Sequence, residues 1–251
     1  MSLFDLDLRV VVITGASRGI GAGLAADFHA RGIRLGVCAR GPCPLAGAPR
    51  VLARSVDVAD PAAVEQFAAE VAVEFGAIDL WINNAGVLAP VGPLREIDPA
   101  AFHAHVAVNL HGVFHGSRTF ARHRRLQGGG GVLINVSSGA AWHGYSGWSP
   151  YCASKAGVDR LSECLALEEA AVGLRVHAVA PGVIDTAMQE LIRASNPADF
   201  PDVGKFLEMK ALGSFNSIPF VAQKFLEIAF DGDQRPAEVV LRLPMESEAM
   251  S

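Results

Sequence analysis

Tyr151 and Lys155 stand four residues apart in a stretch, Tyr151 to Ala171, whose Val158, Leu161 and Leu165 recur at helical spacing. Residues four apart on a helix share a face, so a phenol and an ammonium come side by side. A free tyrosine titrates near ~10, too high for efficient proton transfer near neutrality. A neighbouring ammonium stabilises the phenolate and lowers that value. Ser138 follows an apolar run, Val132 to Val136, upstream of the tyrosine. Its place at a strand end, thirteen residues before the tyrosine, adds weight to an acid/base reading of the pair. Tyrosine and lysine at this spacing are also common on plain helix surfaces, so the reading needs a second motif.

That motif is the stretch Thr14-Gly15-Ala16-Ser17-Arg18-Gly19-Ile20-Gly21. It follows the short β-branched run Val10 to Ile13 and opens a segment with Ile20, Leu24 and Phe28 at helical spacing. Glycines permit a tight turn and let the backbone approach a pyrophosphate, while a helix N-terminus supplies N–H donors and partial positive charge. The spacing, G-x-x-x-G-x-G, differs from the common G-x-G-x-x-G dinucleotide fingerprint. Sites for NAD usually place an acid at the end of the second strand, on the ribose 2′-hydroxyl. Here that end reads Cys38-Ala39-Arg40. Arg40 can pair with a 2′-phosphate, bidentate and charge-assisted, and Arg18 can reach the same group, so NADP(H) is expected over NAD(H). The bland alternative is two solvated surface arginines.

The elements that must carry these residues follow from the apolar pattern. Leu35 to Ala39, Val51 to Val56, Asp79 to Asn83, Val132 to Val136, Val176 to Ala180 and Val239 to Leu243 join Val10 to Ile13 as strand-like runs. Amphipathic helical stretches separate most of them. Asp60-Pro61 and Asp98-Pro99 are helix starts, an N-cap acid with proline in the first turn. Strands alternating with helices mean βαβ units. The expected fold is α/β: a Rossmann-like, doubly wound, mostly parallel seven-stranded sheet flanked by helices, as a single domain over residues 1–251. Gly41 to Pro49, with its prolines and glycines, is expected to form a loop or vestigial turn instead of a crossover helix. Residues 186–218 follow a strand end with a mixed pattern, where an open sheet binds ligands, and are expected to form a substrate lid.

Together these pieces resemble the short-chain dehydrogenase/reductase family, from Thr14 to about Thr186. The family's glycine motif reads as Thr14 to Gly21, with Gly15, Ser17, Arg18, Gly19, Ile20 and Gly21 at the cofactor. Its aspartate near the adenine falls on Asp57, beside Val58. Its N-N-A-G falls on Asn83 to Gly86, so Asn84, Ala85 and Gly86 pass beneath the cofactor. Its catalytic residues fall on Asn109, Ser138, Tyr151 and Lys155, and its P-G segment on Pro181-Gly182, with Ile184 and Thr186 toward the carboxamide. The resemblance implies that Tyr151 protonates the carbonyl as hydride arrives, Lys155 lowers the tyrosine pKa and binds the nicotinamide ribose, and Ser138 holds the substrate oxygen. It also implies that Asn109 positions a water linking Lys155 to solvent.

A narrower resemblance, to sepiapterin reductases and bacterial benzil reductases, lies in Gly147 to Cys152, Leu165 to Glu169 and Val183 to Gln189. Sepiapterin reductases anchor their pterin with an aspartate near the final strand; Ala237 to Leu241 holds none, only Glu238. The expected activity is therefore NADPH-dependent reduction of a ketone or diketone, benzil-like or otherwise aromatic. The alternatives are an NADP-dependent alcohol dehydrogenase, a sepiapterin-type reductase, or a catalytically silent NADP(H)-binding regulator. The resemblance also implies a homodimer or homotetramer paired through helices near Phe102–Leu126 and Tyr151–Ala171.

Composition agrees. Of 251 residues, 51% are hydrophobic and 19% charged, which suits a packed core. A net charge of −5 argues against nucleic acid as the main partner. Cys38, Cys43, Cys152 and Cys164 form no paired motif and read as reduced thiols, with no metal site. No run approaches the ~18 apolar residues of a membrane span, and Met1 to Arg9 has no signal-peptide pattern, so a soluble, cytoplasmic protein is expected. Trp142, Tyr145 and Trp148, with His143, lie between Ser138 and Tyr151 and are expected to wall the substrate pocket together with those two. His103, His105, His111 and His115 read as partly exposed helix positions without a ligand cluster. Cys152 should point away from the chemistry, Glu168-Glu169 should be a solvated helix end, and Met245 to Ser251 a frayed tail.

Overall fold

The computed structural model describes residues 6–233 and 236–249. Seven strands form one parallel sheet: β1 (Val10–Thr14), β2 (Arg34–Ala39), β3 (Val51–Ser55), β4 (Leu80–Asn83), β5 (Val132–Val136), β6 (Arg175–Ala180) and β7 (Val240–Arg242). Their order is β3-β2-β1-β4-β5-β6-β7, every neighbouring pair parallel. The order reverses between β1 and β4, so the strands on either side diverge there and leave a crevice at their carboxyl ends. The expected Rossmann-like, seven-stranded single domain is the fold found.

Alternation along β1 explains the two helical layers. Val11 and Ile13 face one side and pack with Leu24 and Phe28 of α1 (Gly19–Ala30) and Phe225 of α8 (Ile218–Phe230). Val10 and Val12 face the other, with Phe67 and Val71 of α2 (Pro61–Phe75) and Phe120. A strand buried on both faces must be apolar throughout, as β1 is. The proline-marked helix starts are built as expected: Asp60 accepts from the amides of Ala62 and Ala63, and Asp98 from Ala100.

The stretch after Asp98 is continuous but not uniform. α3 (Pro99–Val106) runs into a π turn, Ala107–His111, and then into α4 (Gly112–Leu126). α5 (Ser149–Glu169) carries Tyr151 and Lys155. Residues 41–49 hold turns and no helix, and α6 (Ala187–Arg193) and α7 (Val203–Leu212) occupy most of 186–218. Two expectations fail here. Glu168 is exposed as expected, but Glu169 is only 8% exposed, with Arg125 reaching across to pair with it at 2.8 Å. Nor is 245–249 a free tail. Glu246, in the short α9 (Glu246–Ala249), accepts from the amide and hydroxyl of Ser217 and donates its own amide to Asn216. Met250 and Ser251 lie outside the described residues. Among the described residues no helix is long and apolar enough to cross a membrane.

Candidate active site

The carboxyl ends of all seven strands open into one cavity of about 1550 Å3. Ligand pockets usually hold roughly 300–1,000 Å3, so this one has room for a dinucleotide and a substrate together.

At β1 the chain turns through Gly15, whose φ is +70°, and a Cβ there would stand 2.6 Å from Ala85 Cα. Gly21 is equally constrained: a Cβ would meet Asn84 Nδ2 and, at 2.5 Å, the Gly15 carbonyl oxygen. The glycines thus let β1 and β4 end against each other. Asn84 Nδ2 donates to the carbonyls of Thr14 and Gly15, and Thr14 Oγ1 accepts from the amides of Asn84 and Ala85. Helix α1 starts at Gly19 with no side-chain cap, so its first N–H groups are left to an outside acceptor. Gly15, Ser17, Arg18, Gly19 and Ile20 line the cavity, whereas Gly21 lies behind it. A glycine cradle and an uncapped helix end fit a pyrophosphate.

Farther along this side, Ala39, Arg40, Asp57 and Val58 line the cavity, as do Asn84, Ala85 and Gly86. Arg18 and Arg40 are exposed, and neither has an ion-pair partner among the described residues. The Asp57 carboxylate accepts from the amide of Ala59. Pro181, Gly182, Ile184 and Thr186 close the far side. Gly182, at φ +81°, lets Asn216 Nδ2 reach the Pro181 carbonyl at 3.0 Å.

At the centre, α5 and the end of β5 bring Ser138, Tyr151 and Lys155 onto one wall. Ser138 Oγ also accepts from the amide of Ala140, which holds its side chain at the strand end. Lys155 is 5% exposed and donates to the Val136 carbonyl at 2.7 Å. Burial pushes its pKa down to about 8, with the Asp159 carboxylate pulling the other way. For Tyr151 the expected lowering by Lys155 is not found. Burial pushes the phenol up, and what draws it back is a hydrogen bond with Ser138. Lys155 Nζ stands 5.8 Å from the Tyr151 ring centroid, and its hydrogen bond goes to the Val136 carbonyl.

Asn109 is fully buried in the π turn, behind the cavity wall. It accepts from the Val87 amide and donates to the Val87 carbonyl, both at 2.8 Å. Its side chain therefore fastens the helix to the segment after β4.

Farther along the wall, Tyr145, Trp148 and Tyr151 line the cavity. Trp148 stacks on Phe200 with centroids 4.4 Å apart, and its edge meets Tyr151 at 5.6 Å. Trp142 is a correction: it does not line the cavity. Its indole is half-exposed and lies under the Arg242 guanidinium. The 3-10 turn Gly139–Ala141 swings it outward. Glu238 is exposed and absent from the lining as well.

Residues that the sequence did not single out complete this wall: Leu88, Met188, Ile192, Phe206 and Met209, with Lys205 at its rim. They come from α6, α7 and the segment after β4, and their apolar types look like ordinary core until the fold turns them inward. Lys205 Nζ lies 3.4 Å from Tyr145 Oη. His105 was read as partly exposed, yet it is 1% exposed and in contact with Asn109. His103 and His111 are exposed and His115 half-buried. Among the described residues no three His, Cys, Asp or Glu side chains form a group able to hold a metal.

Comparison with known proteins agrees with this geometry. Residues 9–197 match the family described as short chain dehydrogenase. The chain is 38% identical over 195 residues to D-threitol dehydrogenase of Mycolicibacterium smegmatis, covering 74% of each protein. It is 29% identical over 234 residues to a benzil reductase ((S)-benzoin forming) of Bacillus subtilis, covering 90% of this chain and 96% of that one. Among solved structures, actinorhodin polyketide ketoreductase with NADPH superposes with a TM-score of 0.82 at 27% identity, covering 96% of this chain and 97% of that one. A glycine-cradled dinucleotide cavity with Ser138, Tyr151 and Lys155 on its wall, in a chain so matched, makes this protein a member of the short-chain dehydrogenase family, an oxidoreductase that uses a nicotinamide cofactor.

Proposed function

We propose that the protein is an NADPH-dependent carbonyl reductase acting on a ketone or diketone with an aromatic or otherwise apolar body. The observation that carries this reading is the cavity itself. Ser138 and Tyr151 present hydroxyls on a wall whose continuation is Trp148, Phe206 and Met209, while Arg18 and Arg40 stand at the other end without acidic partners among the described residues.

The bound nicotinamide supplies the hydride, and the protein supplies orientation and electrostatics. Tyr151 donates its proton to the carbonyl oxygen. A phenol held up by burial stays protonated near neutrality, which is the form a donor needs. Ser138 hydrogen-bonds the same oxygen and then the phenolate that forms. Lys155, with a pKa of about 8, is mostly charged at neutral pH, supports that phenolate and binds the ribose. Asn109 holds the π turn against Val87, from which a water can link Lys155 to solvent. Arg40 and Arg18 bind the 2′-phosphate, and residues 186–218 shape the substrate end. The exposed position of Glu238 leaves a pterin without its anchor, which favours the apolar substrate over a sepiapterin-type one.

A second reading is alcohol oxidation by the same residues, favoured by the likeness to D-threitol dehydrogenase. The test is a panel of benzil, other aromatic ketones, simple aldehydes, sepiapterin and polyols, run with each cofactor and with Tyr151→Phe alongside. Benzil or an aromatic ketone should turn over with NADPH. Removing the proton donor should cost about 10²–10⁴-fold or more in kcat and leave NADPH affinity nearly intact. Turnover of polyols alone would shift the reading to a dehydrogenase. NADPH binding with no turnover on any compound would favour the silent regulator.

A further inference from the structure

His105 lies in the last turn of α3, one turn before Asn109, and is buried beneath the wall that carries Tyr151. Its bonds settle its tautomer. Nδ1 lies 2.8 Å from the Ala89 carbonyl oxygen, which can only accept, so Nδ1 bears the proton. In the neutral ring Nε2 then offers a lone pair, 2.9 Å from Asn109 Nδ2 and 3.2 Å from Ser154 Oγ. Asn109 Nδ2 has two hydrogens. One goes to the Val87 carbonyl, and the other has His105 as its acceptor. Ser154 Oγ in turn donates to the Tyr151 carbonyl, and the edge of the His105 ring meets the Tyr151 ring at 6.2 Å and 77°.

We propose that His105 is a positioning residue: as the neutral Nδ1–H tautomer it holds the Asn109 carboxamide, and with it the π turn, in register with the Tyr151–Lys155 helix, and its protonation releases that hold. An imidazolium has no lone pair. Its Nε2–H would oppose the Asn109 N–H and turn to Ser154 Oγ or the Pro150 carbonyl. The fully buried carboxamide would then have to rotate away from Val87 or lose a bond.

The titratable groups that face the ring are Tyr151 and Lys155, both from α5; the segment after β4 presents backbone only. Burial holds the His105 pKa below its ordinary 6.5, the Lys155 ammonium acts in the same sense, and the Ala89 and Pro150 carbonyls oppose them. The ring is therefore neutral at physiological pH and charges only as the solution turns acidic.

The activity part of this proposal rests on the carbonyl-reductase reading, so the test has a part that does not. Side-chain nitrogen NMR of the wild-type protein, titrated with acid, should show His105 as the Nδ1–H tautomer near neutrality. It should charge below pH 6.5, and the Asn109 amide signals should shift with the same midpoint. An Nε2–H tautomer, or Asn109 signals that ignore the titration, would overturn the proposal whatever the enzyme turns over.

With a working carbonyl substrate, His105→Leu should lower kcat by roughly tenfold, the usual scale for one orphaned buried donor, with KM for NADPH unchanged. His105→Gln keeps an acceptor for Asn109 and a donor for Ala89. It should retain near-normal kcat and lose the acid limb of the kcat–pH profile, while a basic limb near the Lys155 pKa of about 8 stays in place. Wild-type kcat in the leucine variant, or an acid limb that persists in the glutamine variant, would refute the role.

Discussion

If the cofactor is NADPH, Arg40 is the residue that would decide the choice over NADH. Ala39 stands where an acid would repel a phosphate, and Arg40 follows it with no ion-pair partner among the described residues. A charge-assisted bond of this kind contributes about 1.5–3 kcal/mol. Arg40→Ala should therefore weaken NADPH binding by roughly 10- to 100-fold while leaving NADH binding nearly unchanged, as fluorescence titration would show. Equal losses for both cofactors would reject the assignment. Glycine and cationic side chains of this kind are legible in sequence because their chemistry is intrinsic. Trp142 and His105 were not. An indole between two motif residues and a histidine on a helix each have two faces to choose from. The choice fell to the 3-10 turn at Gly139 in one case and to the packing of α3 against α5 in the other.

The elements set distances that the residues alone cannot. Strands β1 and β4 end close enough for Thr14 Oγ1 to accept two amides from the opposite strand end, and Gly21 makes room for Asn84 to complete the clamp. Gly21→Ala should push Asn84 off the Thr14 and Gly15 carbonyls. Overpacking of this sort costs about 1–3 kcal/mol, so the denaturation midpoint should fall and NADPH affinity with it. A stable variant with full affinity would show that the clamp is not needed. The strands and the proline-marked helix starts were legible because alternation and capping are local. The π turn at Ala107–His111 was not, since an extra residue in a helix leaves no composition signal. Here it brings Asn109 to Val87 and follows from that contact.

At the scale of the molecule, the outer surface carries large apolar side chains, Phe114 on α4 and Leu167 on α5, that the described chain does not cover. We expect these helices to pair in a homodimer or homotetramer. Analytical ultracentrifugation should find the wild-type protein as one of these and Phe114→Glu shifted toward monomer; a monomeric wild type would refute the pairing. The parallel fold, the glycine turn, the acid missing before Arg40 and the set Ser138, Tyr151 and Lys155 were determined by the sequence itself. Each depends on contacts within a few residues or on the chemistry of a single side chain. The tertiary structure alone decided that Lys155 is held by the Val136 carbonyl, that Glu169 is buried against Arg125, and that Met188, Phe206 and Met209 wall one end of the cavity. Burial and long-range proximity are properties of the closed sheet and its two helical layers, and they exist only once distant segments have packed.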